Sequence, residues 1–281
     1  MNNIIYTCLI IIITFFFIFT NKFNIDENFT NQQVQFYEEV WVNKKNIKEQ
    51  LIKTKDYIKK DNLKLLNIGS GTGTYLNILE KIYPNFDFYA IDIDKNLIEK
   101  TKVNIPTANV KNENVLKRNN YEPETFDVIC LFSETLHLIP YDHWEKLLGN
   151  INYWLKGNGV LIINILDGEN LDPSPADYSY IKPGKDGEMV SRTFYPDKFH
   201  LSQFIKVEGG DKYEYELEEN IRKPGKQHFS YDTKLYIPPI KESLRKMREN
   251  GFELKKVDDL EGFKTYYYEK YGNLEFIYNK K

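Results

Sequence analysis

The sequence predicts an α/β protein built on a mostly parallel sheet with helices on both faces. Three observations carry that prediction. Between Leu65 and Leu166, short apolar runs alternate with helical patterns, as strands joined by crossover helices do. One run, Phe126–Phe132 (FDVICLF), is continuously apolar, which fits a strand buried on both faces. The run Leu65–Ile68 passes through a glycine-rich turn straight into a helical pattern.

Composition bounds the rest. The chain has 281 residues, 41% hydrophobic and 28% charged, which excludes a disordered chain and leaves enough length for one α/β domain. A formal charge of −3 gives no general affinity for nucleic acid, so none is expected as a partner. The two cysteines are Cys8, in a hydrophobic segment, and Cys130, in an expected buried strand. A structural disulfide between them is not expected, which points to a reducing compartment.

Residues 1–21 are read as a membrane anchor. Ile4–Phe19 carries no charge and no polar face, and its length is near the lower limit for a spanning helix. A cleaved signal peptide is the competing reading, but the basic start and small-residue cleavage site are missing. A core element is the third. Lys22 and the Lys-rich stretch from Lys44 follow the span, so single-pass insertion with the main domain on the cytoplasmic side is expected. Residues 22–32 are expected to form a linker, and 33–281 the main domain.

Within that domain, Val34–Trp41 and Asn46–Lys60 read as helices, the second with Ile47, Leu51 and Ile58 at helical spacing. Strands follow at Leu65–Ile68, Phe86–Ile91, Ala108–Lys111, Phe126–Phe132 and Val160–Leu166. Helices at Tyr75–Ile82, Lys95–Val103 and His143–Leu155 intervene. Residues 168 to 190 are rich in Gly, Pro, Asp and Ser and read as a loop. Strand-like stretches then run from Phe199 to Tyr236, broken by a hairpin at Gly209–Gly210–Asp211. The whole insert, about 168–238, is expected to cover or shape the mouth of the site. Ile240–Asn250 is helical with Gly251 as its C-cap, and FELKKV and LEFIY are the expected last two strands.

The chemistry starts in LLNIGSGTGTYLNILEK. Gly69, Gly71 and Gly73 let the backbone bend tightly and let a ligand approach, and the following helix offers free N–H groups. Such a turn serves a dinucleotide or S-adenosylmethionine. Thr74 stands where the third glycine of G-x-G-x-x-G belongs, so the dinucleotide pattern fails. Asp92 ends the next strand about twenty residues on, where a carboxylate accepts from ribose hydroxyls.

Asn67–Gly73 (NIGSGTG) resembles motif I of the class I, Rossmann-like S-adenosylmethionine-dependent methyltransferases, D/E-x-G-x-G-x-G, with Asn67 in place of the acid. YAIDID resembles the second motif and Asn112–Glu113–Asn114 the acidic motif after the third strand. FDVICLFSETLHLIP resembles the fourth-strand motif, and LKGNGVLII the turn into the fifth strand. The resemblance spans Asn62 to Leu166. It implies a seven-stranded sheet and S-adenosyl-L-methionine as cofactor. The implied cofactor residues are Asn67, Gly69, Ser70, Gly71, Gly73, Asp92, Ile93, Glu113, Asn114 and Phe132. Glu134 and His137 are the candidates for substrate orientation or proton removal. Plainer readings stand beside these: a strand-end cap for Asp92, a surface acid for Glu113, a loop residue for His137. No D/N-P-P-Y/F sequence marks a nucleic-acid base as acceptor, and no H-x-x-x-H or C-x-x-C marks a metal. A small-molecule or lipid-like acceptor is expected. The rival reading from another class is a non-catalytic scaffold that presents the insert to a partner.

Overall fold

A computed structural model describes residues 44–168, 179–183, 189–195, 198–207, 209–222, 229–260 and 263–271, with Thr30 and Val34 besides. The 1–21 segment and the helix expected over Val34–Trp41 (Val34 apart) lie outside these residues. Among the described residues no helix is long and apolar enough to cross a membrane.

Strands β1 (Lys64–Ile68), β2 (Asp87–Asp92), β3 (Asn109–Asn112), β4 (Phe126–Leu131) and β5 (Leu155–Asn164) pair in parallel. Two more strands, β11 (Phe252–Leu260) and β12 (Phe263–Lys270), complete a seven-stranded sheet in the order β11-β12-β5-β4-β1-β2-β3. Strand β12 is antiparallel to both neighbours. This is the expected Rossmann-like arrangement. The order reverses at β1 and β4, so ligand chemistry belongs beyond their carboxyl ends.

Period-two alternation in the strands feeds two separate cores. Leu66, Ile68, Ile129, Leu131 and Ile163 point to one face, against α4 (Trp144–Trp154) and α5 (Ile240–Glu249). Leu65, Ala90, Val128, Cys130 and Ile162 point to the other, against α1 (Lys44–Ile52) and α2 (Thr74–Ile82). Helix α3 (Lys95–Asn104) crosses between β2 and β3, capped by the Asp94 carboxylate on the Leu97 N–H at 2.8 Å. In α4 the side chains of Trp144, Leu147, Leu148, Ile151 and Trp154 are all fully buried, each worth about 1.5–3 kcal/mol.

Several boundaries differ from the sequence reading. Helix α1 ends at Ile52 and tightens into a 3-10 turn over Lys53–Asp56 instead of continuing to Lys60. There the Thr54 hydroxyl donates back to the Leu51 carbonyl, competing with the helix ladder. The stretch read as a loop contains β6 (Ser179–Pro183) and the start of β7 (Met189–Tyr195). With β8 (Lys198–Lys206), β9 (Glu214–Arg222) and β10 (Phe229–Tyr236) they form a separate antiparallel sheet, so the insert is strand-rich as expected. Its turn-forming composition hid two strands, which pair as antiparallel neighbours along the chain. The expected LEFIY strand lies outside the described residues, and the strand beside β5 is FKTYYYEK, whose unbroken tyrosine run shows no alternation to read. Gly251 does close α5, at φ +83°.

Candidate active site

The turn after β1 carries left-handed backbone at Gly69, Gly71 and Gly73, with φ of +65°, +55° and +81°. Only glycine adopts this freely. Gly69 has a second constraint: a Cβ there would sit 2.4 Å from the Thr135 methyl. The turn is pinned from α3, where the Thr101 hydroxyl donates to the Gly71 carbonyl at 2.7 Å and the Asn104 amide to the Thr72 carbonyl at 2.8 Å. Sequence reading passed over both residues, since a polar residue on a solvated helix carries no signal of its target.

Asp92 closes the arrangement. One carboxylate oxygen accepts the Gly71 N–H at 2.8 Å and the other the Asp94 N–H at 3.0 Å. Burial pushes its carboxyl up to about 6; the backbone hydrogen bonds oppose this, and the neighbouring Asp94 adds to it. No cationic side chain is among the groups acting on it. It is a desolvated acceptor pair with capacity for further donors.

These residues open on a cleft of about 560 Å³. That falls within the range of small-molecule sites, about 300–1,000 Å³. Gly69, Gly71, Asp92, Ile93, Glu113, Asn114 and Glu134 line it. Ile93 is 39% exposed, an apolar side chain held open at the cleft. Glu113 is ion-paired with Lys117 at 2.8 Å, and the Lys117 ammonium holds its carboxyl below the usual range. The Asn114 amide oxygen accepts the Leu116 N–H, bracing the loop after β3. Opposite the glycine turn, Glu216, Leu217 and residues 232–236 of β9 and β10 form the other wall, so the insert does shape the mouth.

Four of the expected cofactor residues lie behind that lining. Asn67 is 1% exposed in β1, and among the described residues neither its amide oxygen nor the buried Ser70 hydroxyl has a hydrogen-bond partner. Gly73 caps α2. Phe132 is buried and stacks on Tyr75 with ring centroids 4.8 Å apart. It supports the floor of the site.

His137 is a correction. Its ring is fully buried and both nitrogens are engaged. Nδ1–H donates to the Tyr236 carbonyl at 2.9 Å, and Nε2 accepts the Leu166 N–H at 2.9 Å. That pattern fixes the neutral tautomer, and burial lowers its pKa to about 4. With the Nε2 lone pair occupied, the ring has no means to take a substrate proton. It is a staple between the loop after β4, the segment after β5 and the insert.

A second set of residues escaped sequence reading. Ser133 sits at φ +52°, a left-handed turn immediately after β4. The Asn164 amide oxygen accepts its N–H at 2.9 Å, and the Tyr75 and Ser133 hydroxyls share a hydrogen bond at 2.9 Å. Asn164 in turn donates to the Lys264 carbonyl and to Thr265, which also accepts from Gln50. This buried chain sets the orientation of the loop that carries Glu134 and Thr135.

The fold and this glycine–aspartate site define a class. Residues 65–159 match the family described as a methyltransferase domain. The chain carries a class I, S-adenosylmethionine-dependent methyltransferase domain. A curated relative, the malonyl-[acyl-carrier protein] O-methyltransferase of Bacillus cereus, is 24% identical over 197 residues, covering 68% of this chain and 71% of its own. Among solved structures, an S-adenosylmethionine-dependent methyltransferase from Clostridium acetobutylicum aligns with a TM-score of 0.63 at 14% identity, over 86% of this chain and 99% of that one. An amino pentose methyltransferase from Micromonospora echinaspora, bound to S-adenosylmethionine, aligns with a TM-score of 0.63 at 13% identity, over 88% and 99%. A sugar N-methyltransferase from a Streptoalloteichus species aligns with a TM-score of 0.59 at 16% identity, over 84% and 91%.

The residues present fit that cofactor. The Asp92 carboxylate retains acceptor capacity for hydroxyl donors, and the buried Asn67 oxygen and Ser70 hydroxyl beside the turn lack partners among the described residues. One departure stands: Asn67 brings no negative charge where the family pattern has an acid.

Proposed function

We propose that this methyltransferase acts on a small-molecule or lipid-like acceptor from a catalytic domain (33–281) held at the cytoplasmic side of a membrane by residues 1–21, through the linker 22–32. The observation that carries the reading of the site is Asp92, pinned by Gly71 and Asp94 at the rim of the cleft. The named acceptors of the relatives, a malonyl group on a carrier protein in one and sugars in others, support a small acceptor. The apolar N-terminal run and the lysines after it support the tether.

S-adenosylmethionine, when bound, supplies a methyl group already activated on a sulfonium. The chain's residues then have three tasks. Asp92 and the glycine turn hold the nucleoside end. The loop after β4 presents Glu134 to the acceptor, to orient it or to accept its proton. The β9–β10 wall reduces the access of water.

Two measurements on the full chain in detergent test this. S-adenosylhomocysteine is expected to bind, and Asp92→Ala to weaken it by about tenfold or more. A folded chain that ignores the ligand refutes the assignment. For the tether, the full chain should float with phospholipid vesicles and a chain lacking residues 1–21 should not; equal behaviour of the two removes the anchor.

A further inference from the structure

Helix α1 lies outside the matched segment 65–159, yet its hydrogen bonds reach the site. Its buried face runs at helical spacing through Ile47, Gln50 and Leu51, and Thr54 continues it in the following turn. Ile47 and Leu51 belong to the core that holds Leu65 and Val128. Thr54 is satisfied close by, through the Leu51 carbonyl and the Tyr83 hydroxyl. Gln50 is a primary amide 7% exposed, and a buried amide costs stability unless it is hydrogen-bonded. Its Nε2–H donates to the Thr265 hydroxyl oxygen at 2.8 Å, 215 residues away.

From Thr265 the hydrogen bonds cross three neighbouring strands, β12, β5 and β4, at their cleft end. Thr265 stands directly opposite Asn164, the last residue of β5. Asn164 Nδ2 donates to the Thr265 hydroxyl oxygen and to the Lys264 carbonyl, both at 3.2 Å. Its Oδ1 accepts the Ser133 N–H at 2.9 Å. An N–H on one side and a carbonyl on the other leave this amide no second orientation. The Thr265 oxygen has two lone pairs, and both are taken, by Asn164 and by Gln50. Without Gln50 the hydroxyl can turn away from Asn164. Thr265 and Asn164 are 2% and 3% exposed, so bulk water does not replace the missing donor. The relay ends at Ser133, whose left-handed backbone starts the loop that carries Glu134 and Thr135 to the cleft.

We propose that Gln50 is a positioning residue of this methyltransferase, acting through Thr265 and Asn164 on the Ser133 turn, so that α1 forms part of the acceptor end of the site. The assignment of that loop to the acceptor rests on the function proposed above; the coupling itself does not. Packing alone would need only an apolar residue at position 50, as at Ile47 and Leu51. The relay needs the amide. Tyr75 holds the same turn from the cofactor side, through the hydroxyl pair at 2.9 Å, so Ser133 is gripped from both α1 and α2.

Hydrogen exchange on the full chain in detergent, read by mass spectrometry, tests this without any ligand. Gln50→Met keeps the side-chain length and removes the donor. It should speed exchange over Phe132–Leu138 by about tenfold or more while β1 and β2 change by less than about twofold. Thr265→Val should match it, and the double variant should be no faster than either, because one relay is broken once. Thr265→Ser keeps the hydroxyl and should hold wild-type protection. Leu51→Ala, a cavity in the same helix, should instead speed β1, β2 and the loop alike. A thermal melt checks each variant, and Thr265→Val decides the matter alone if Gln50→Met does not fold. A loop that keeps its wild-type rate in Gln50→Met overturns the proposal. So does a rise shared equally with β1 and β2, or a double variant showing the sum of two separate effects. S-adenosylhomocysteine gives a second readout: its affinity for Gln50→Met should stay within about threefold of wild type, and a larger loss places the action at the cofactor end and overturns the assignment. Failure of the wild type to bind it removes the methyltransferase reading and leaves the loop result standing.

Discussion

If Asp92 holds the ribose as proposed, cofactor affinity should depend on pH in a window that Glu113 and His137 leave clear. Without ligand its carboxyl titrates near 6 because burial outweighs its two backbone hydrogen bonds. Hydroxyl donors from a bound ribose favour the ionised form, so binding lowers that value and is linked to proton release. About nine-tenths of Asp92 is ionised at pH 7 and about one-tenth at pH 5, so the dissociation constant of S-adenosylhomocysteine should rise about tenfold between them, or 1.4 kcal/mol. Asp92→Asn cannot titrate and should be flat across the same range, with weaker binding throughout. Glu113 titrates below its ordinary value. His137 titrates near 4 and lies behind the lining, so neither should imitate the slope. Calorimetry at pH 5, 6 and 7, in two buffers of different ionisation enthalpy, reads both affinity and proton release. A wild-type affinity that is flat with pH, or an Asp92→Asn slope equal to wild type, refutes the role given to this carboxylate.

Three further outcomes follow from the same geometry. His137→Ala strands two backbone partners, Tyr236 and Leu166, and should cost about 2–5 kcal/mol in denaturant unfolding. Its folded pKa lies below its unfolded value, so its contribution is complete above 6.5 and falls by about 3 kcal/mol as pH drops through 4. Asp92 has the opposite sign, its folded form favouring the proton between 3.8 and about 6, so wild-type stability should vary little there while His137→Gln becomes more stable towards acid. Gly69→Ala should abolish S-adenosylhomocysteine binding, because its Cβ would meet Thr135 at 2.4 Å. Gly209→Ala, also left-handed but with nothing within 4 Å, should cost only about 1–2 kcal/mol of stability, as comparative melts will show. Asn164→Ala unpairs the Ser133 N–H and should lower stability by about 1–3 kcal/mol and weaken acceptor binding more than cofactor binding; the reverse order of effects refutes its place beneath the Glu134 loop.

The parallel half of the sheet was legible because each strand there is short, apolar and followed by its own crossover helix. Gly69, Gly71 and Asp92 were legible for a related reason: the turn, the strand end and the spacing between them are all local. Glu113 and Glu134, singled out by motif order, both line the cleft. His137 was misassigned because sequence shows a histidine in a loop after a central strand but not its partners, Tyr236 and Leu166, 99 and 29 residues away. Strands β6 and β7 were missed because residues 168–190 have the composition of a loop, although the two strands pair as sequence neighbours.

Sequence alone determined the α/β class, the left-handed glycine turn, the carboxylate that ends β2 and, through their motif order, the methyl donor. All of these rest on interactions between residues within about one crossover unit, where spacing along the chain is spacing in the fold. Only the tertiary structure decided which residues face the cleft, that His137 is a neutral staple and that Asn164 sets the Ser133 turn. Those are matters of burial and of hydrogen-bond partners brought together across the sheet and the insert. A side chain's charge and proton affinity are set by what surrounds it in space, and one-dimensional order does not carry that information.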